Sequence, residues 1–76
     1  MIKELASVVL TTDMPERGLL TGDIGTVVLV HQQGQGYTVE FVTLGGETVA
    51  VVTLPAEQVR SIRANEIAHA REVIAV

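Results

Sequence analysis

Short β-branched runs alternate with polar, Gly-bearing breaks along most of this chain. Ser7-Val8-Val9-Leu10-Thr11-Thr12 predicts a first strand, because branched side chains favour the extended backbone. Asp13-Met14-Pro15-Glu16-Arg17-Gly18 interrupts it: Pro15 cannot donate to a ladder, and the stretch is too long for a tight hairpin. Gly22-Asp23-Ile24-Gly25 reads as a turn. Thr26-Val27-Val28-Leu29-Val30-His31 is a second strand, followed by the hairpin loop Gln32-Gln33-Gly34-Gln35-Gly36. Tyr37-Thr38-Val39-Glu40-Phe41 has the cleanest period of two, which places Tyr37, Val39 and Phe41 on one buried face and Thr38 and Glu40 on the other. After a hairpin around Gly45-Gly46 comes a fourth strand, Thr48 to Leu54. Pro55-Ala56-Glu57-Gln58 fits one helical turn, and Val59-Arg60-Ser61-Ile62 closes the series.

Five short strands at this spacing, with a single helical turn before the last, predict a mainly all-β fold: a small five-stranded SH3-like antiparallel barrel over residues 1–62. An OB-type barrel is the rival, but it calls for a longer chain and a helix between the third and fourth strands. The pattern then changes. From Arg63 to Val76 the chain is rich in Ala, Asn65 is a candidate N-cap beside Glu66, and Ile67, Ala70 or Arg71, and Ile74 fall on one helical stripe. A short C-terminal helical extension is therefore expected over 63–76.

One feature does not fit a simple barrel. Val27-Val28-Leu29-Val30 and Val49-Ala50-Val51-Val52 are apolar at consecutive positions, whereas a strand with one wet face should alternate. The chain carries 13 Val in 76 residues. Continuous apolar strands imply cover on both faces, supplied by the C-terminal segment or by another chain. Oligomerisation is a common remedy for the small core that so short a chain can build.

Composition narrows the function classes. A net charge of -4 opposes electrostatic binding to nucleic acid or anionic membranes. The absence of Cys removes disulfides and thiolate metal sites, and it fits a reducing compartment. No basic-then-apolar leader and no apolar run of about 20 residues stands in the sequence, so a cytoplasmic location is expected.

Candidate chemistry is thin. His31 and His69 are the two histidines; Glu66 and His69 have the i, i+3 spacing of carboxylate metal bundles, which require more carboxylates and a second copy of the motif. Asp13, Glu16 and Asp23 cluster around the first loop without a calcium-loop spacing, and Asp in turns ordinarily accepts local backbone amides. No nucleophile elbow and no phosphate loop is present. The sequence therefore predicts no catalytic residue, no metal ligand and no cofactor. The only aromatics, Tyr37 and Phe41, are committed to the core stripe, which removes the usual platform for Pro-rich peptides or bases. The residues chosen as a possible interface are Arg60, Arg63, Ile67, Arg71 and Ile74: arginines are favoured at interfaces, and the two isoleucines lie on the expected helical stripe.

Asp13-Met14-Pro15-Glu16-Arg17-Gly18-Leu19, Gly22-Asp23-Ile24-Gly25-Thr26-Val27-Val28, Gly36-Tyr37-Thr38-Val39-Glu40-Phe41 and Val49 to Val59 form four consecutive blocks. Together they resemble the small bacterial family known as domain of unknown function 4926, over about residues 5 to 62. The resemblance implies a compact SH3-type barrel and no established activity. Some members are encoded beside a second small protein, in the manner of partner pairs such as toxin and antitoxin. The Gly22–Val28 block is also similar to the Gly-centred turn of ribosomal and transcription-factor SH3-like modules, which are usually basic.

The expectation is thus a non-enzymatic protein-interaction module, homo-oligomeric or paired with a neighbouring-gene product. An RNA- or ribosome-associated module and an accessory subunit of an enzyme are the alternatives.

Overall fold

The computed structural model describes residues 1–73. Five strands form one antiparallel sheet: β1 (Ser7–Leu10), β2 (Ile24–His31), β3 (Gly36–Val42), β4 (Thr48–Pro55) and β5 (Val59–Ser61), in the spatial order β4-β3-β2-β1-β5. The all-β expectation holds, with every strand found within a few residues of its expected position. The barrel expectation is corrected. The ladder does not close, because β4 and β5 stand at opposite edges of the sheet. β5, three residues long, pairs with β1 alone.

Strand alternation makes the core. Val8 and Leu10 of β1, Val27 of β2, Tyr37, Val39 and Phe41 of β3, Ala50, Val52 and Leu54 of β4, and Val59 of β5 pack together with Leu19 from the first loop. Val8, Leu10, Val27 and Val39 are completely buried. The period-two reading of β3 is borne out: Tyr37, Val39 and Phe41 all face inward.

A break in register accounts for the doubly apolar run of β2. Val27 pairs with Val39 but Leu29 pairs with Thr38, so Val28 is the extra residue of a bulge that turns Leu29 to the outer face. A second irregularity lies between Phe41 and Val42. Along β4, Ala50 and Val52 are inward while Val51 stays half-exposed on the outside.

Two 3-10 turns complete the frame, Pro15–Arg17 in the β1–β2 loop and Ala56–Gln58 between β4 and β5. The second is the expected helical turn, with Pro55 standing just before it as the cap. The long loop folds back on the free edge of β4: an Arg17 guanidinium nitrogen donates to the Val51 carbonyl at 3.3 Å. A charged side chain over an edge carbonyl blunts pairing by another strand. At the other end, the Ile2 amide meets the Tyr37 hydroxyl at 3.3 Å and Ile2 packs against the core.

The expected C-terminal helix is also corrected. No helix forms over residues 63–73; the chain makes one turn at Ala64–Asn65 and continues without regular structure. A helix is begun and not propagated. The Glu66 amide donates to the Arg63 carbonyl at 3.1 Å, and the Glu66 carboxylate accepts the Arg63 amide at 2.7 Å, which is half of a capping box. Short isolated helices are marginal without an apolar face to bury, and Ile67, the first residue of the expected stripe, is 94% exposed. Ile74, the last residue of that stripe, lies outside the described residues.

Candidate interaction face

The Gly22-Asp23-Ile24-Gly25 segment is the centre of the candidate site. Gly22 has a φ of 97°, a conformation glycine adopts without strain. Its amide donates to the Leu10 carbonyl at 2.8 Å, tying the turn to the end of β1. Asp23 follows, and its carboxylate accepts the Leu20 amide at 2.8 Å. Asp13 in the same loop accepts the Thr21 amide at 2.8 Å. Both carboxylates therefore bond local backbone amides, as the sequence suggested. Among the described residues no group of three His, Asp or Glu converges as a metal would require.

Gly25, the second residue of β2, lies on the inner face. A Cβ there would lie 2.6 Å from a Val39 methyl and 2.9 Å from two Phe41 ring carbons, so the ring occupies the space a side chain would fill.

What sequence reasoning missed is the partner of Asp23. Arg71, 48 positions away, reaches back to it with two hydrogen bonds, Nε to Oδ1 at 2.8 Å and Nη2 to Oδ2 at 2.6 Å. The same guanidinium donates to the Gly18 carbonyl at 2.9 Å. This is the fork geometry that suits arginine to a carboxylate. Partial burial pushes the Asp23 carboxyl upward, but the Arg71 hydrogen bonds, the Leu20 amide and the Arg71 charge outweigh it, and the group titrates below its ordinary value. Asp13 is lowered too, chiefly by the Thr21 amide, against its own desolvation and the neighbouring Asp23 charge.

The segment from Arg63 to Val73 thus runs as a strap over the outside of the sheet. Beneath it lies Val9, which alternates away from Val8 and Leu10 and pairs with Ile24 and Arg60. Val9 is only 8% exposed although it lies outside the core cluster. Ile24 and Ile62 beside it are 42% and 40% exposed. Together with Arg60, Glu66, Ile67, Ala68 and His69 these residues line a shallow cleft of about 290 Å³.

Of the five residues chosen from the sequence, the structure brings Arg60 and Ile67 to this cleft. Arg60 is spent on Glu66 in a paired contact of 2.9 and 2.7 Å. The Arg60 guanidinium and the Arg63 amide hold the Glu66 carboxyl down at about 2. Arg63 takes part through its backbone. Arg71 is clasped to the chain's own body, and Ile74 is not described. His31 sits elsewhere, its Nε2 2.6 Å from the Thr38 hydroxyl, which in turn meets the Thr53 hydroxyl at 2.8 Å.

Exposed bidentate pairs contribute roughly 0.2–1 kcal/mol. The Arg71 clasp is partly buried, its two side chains 27% and 16% exposed, although every strap residue from Arg63 to Val73 is exposed as a whole. The strap is fastened at two points, by the Arg60–Glu66 pair near its start and by the Arg71 clasp near its end. No helix among the described residues is long and apolar enough to cross a membrane.

An open five-stranded antiparallel sheet with a long, arginine-buckled β1–β2 loop and an apolar outer patch is the class of small β module that fold and site define. The chain matches the family described as domain of unknown function DUF4926 over residues 4–61, most of its length, and belongs to that family. No curated protein and no solved structure matches it.

Proposed function

We propose that this chain is a non-enzymatic, SH3-like protein-interaction module that associates with a second copy of itself or with a protein encoded beside it. The SH3-like reading draws support from the strand order β4-β3-β2-β1-β5 and from the single 3-10 turn before β5. The observation that carries the interaction reading is the distribution of large apolar side chains. Ile24, Leu29, Val42, Val51 and Ile62 are each 40–51% exposed, on a sheet whose inner face is already filled. The bulge in β2 turns Leu29 outward where uninterrupted alternation would have placed it differently. Exposed apolar side chains that recur across one sheet mark an interaction surface.

The alternatives have less support. Binding RNA through the Gly22–Asp23 turn would place phosphate against a carboxylate in a chain of net charge -4. The cleft beneath the strap, about 290 Å³, lies at the lower limit of small-molecule sites, about 300 Å³, and the larger groove of about 1440 Å³ beside the Asp23–Arg71 clasp is broad and open to solvent.

The test is association under defined conditions. Sedimentation from micromolar to hundred-micromolar concentration, alone and co-expressed with the neighbouring product, should reveal a complex. Leu29→Asp and Val51→Asp, both on the outer face, should abolish it without unfolding the chain. A monomer throughout, with no co-purification of the neighbouring product, would overturn the reading.

A further inference from the structure

The geometry points to a specific docking mode. We propose that the strap is an internal stand-in for a partner's segment. The outer groove beneath it receives an extended peptide that carries an arginine for Asp23 and the Gly18 carbonyl, and the partner binds by displacing Arg71. The proposal rests on the interaction reading above and deepens it.

The receptor half is built without help from the strap. The Asp23 carboxylate is oriented by the Leu20 amide at 2.8 Å, and Asp13 beside it by the Thr21 amide. Gly18, at φ 73° after the 3-10 turn, presents its carbonyl to the same point. A preorganised acceptor set reduces what a ligand must spend on ordering. The guanidinium that occupies it shows what chemistry fits.

Charge selects the same kind of partner. Residues 1–62 hold seven Asp+Glu against three Lys+Arg, whereas 63–76 hold two of each. The whole net charge of -4 therefore resides in the body, and a cationic segment is attracted to it.

The strap is also an imperfect occupant. Its large apolar residue, Ile67, borders the cleft but is 94% exposed, and Ala68 beside it is too small to fill the space near Val9, Ile24 and Ile62. Half-exposed Ile24 and Ile62 are left for something larger to cover. A partner segment with Leu, Ile or Val three positions before its arginine would fill that cleft and keep the clasp. It would compete against a strap held by two ion pairs, Arg60–Glu66 and Arg71–Asp23.

The test uses the full chain and a synthetic peptide of residues 63–76. Isotope-labelled wild-type and Arg71→Ala proteins are titrated with this peptide, and with its Ala68→Leu version, while the amide signals of Gly22, Asp23 and Ile24 are followed. Arg71→Ala, with the strap unbuckled, should bind at least about fivefold tighter than wild type, the factor that a clasp near the top of the surface ion-pair range supplies. The Ala68→Leu peptide should bind tighter still. Asp23→Asn placed on Arg71→Ala should remove the binding, with unchanged melting showing that the fold persists. Equal binding by wild type and Arg71→Ala, or no binding of either peptide, would overturn the proposal. So would undiminished binding of a peptide carrying Arg71→Ala. If Arg71→Ala dimerises without peptide, the groove accepts a second copy and the partner-segment form is wrong. Co-purification with the neighbouring product through Leu29 and Val51 would survive each of those failures, so the two readings fail separately.

Discussion

Replacing Gly25 with Ala tests the packing logic of the site directly. The added methyl would meet a Val39 methyl at 2.6 Å and two Phe41 ring carbons at 2.9 Å, against ordinary carbon contacts of about 3.5–4.0 Å. Neither neighbour can swing away easily, since Val39 is 0% and Phe41 2% exposed. Overpacking a filled core destabilises by roughly 1–3 kcal/mol. The loss of unfolded-chain entropy on Gly→Ala returns about 0.4–1 kcal/mol. The net is a loss of up to about 2.6 kcal/mol, about 1.3 kcal/mol in mid-range, and each kcal/mol lowers the melting temperature of a domain of this size by roughly 4–8 °C. Urea unfolding followed by circular dichroism should show a lower midpoint at an unchanged slope, because the unfolded state is not altered in extent. Gly45→Ala is the matched control: its added methyl would find only the Thr43 hydroxyl, at 3.7 Å, and stability should not fall. If Gly25→Ala melts with or above the wild type, Phe41 does not pack where its contact with Gly25 places it, and the account of this turn is wrong.

Three further substitutions probe other links. Gly22→Ala has open space around it but a φ of 97°, so it should lose about 1–2 kcal/mol through backbone strain alone, seen in thermal melts. Leu10→Ala, at a completely buried position, should lose about 2–5 kcal/mol, enough to leave a domain of this size largely unfolded at 37 °C by circular dichroism. Glu66→Gln probes the pH dependence. The Glu66 carboxyl is held at about 2, below its ordinary 4.5, so its contribution is complete above 4.5 and is lost as pH falls toward 2. The difference in melting temperature between wild type and Glu66→Gln should therefore shrink over that window and vanish at its acid end; a difference independent of pH would refute the Arg60–Glu66 assignment.

The strands were legible because their evidence is local. β-Branched runs bounded by Gly and Pro specify extended backbone whatever surrounds them, and the alternation of Tyr37, Val39 and Phe41 identified the inner face of β3 outright. Gly25 was read as part of a turn, and it is instead the second residue of β2. Nothing local distinguishes a glycine needed for its dihedral angles from one needed for its missing side chain. The ring of Phe41, sixteen positions on, decides it. The closed barrel failed on a similar ground. Closure depends on how the sheet curls as a whole, which no single run of residues encodes, and β4 and β5 stand at opposite edges.

The tail shows why helical periodicity misled. Ile67 and its expected stripe mates promise an amphipathic helix only if an apolar face lies where that stripe could dock. The body offers Val9, Ile24 and Ile62 in a narrow cleft, and it offers Asp23 at the end of a turn. A guanidinium can satisfy Asp23 by reaching across from an extended chain, with three hydrogen bonds anchored 48 and 53 positions away in sequence. Beginning a helix at Arg63 fixes several dihedral angles before any face is buried. Capture of Arg71 needs no regular backbone between Glu66 and the clasp. The extended strap therefore wins over the helix, and it leaves uncovered part of the apolar outer surface that the doubly hydrophobic strands announced. The surplus of Val is not absorbed by the fold: bulges explain where the alternation breaks, but Leu29, Val42 and Val51 still stand about half-exposed. A strap fastened over one part of that face and bare aliphatic side chains over another form the surface on which the proposed association would act.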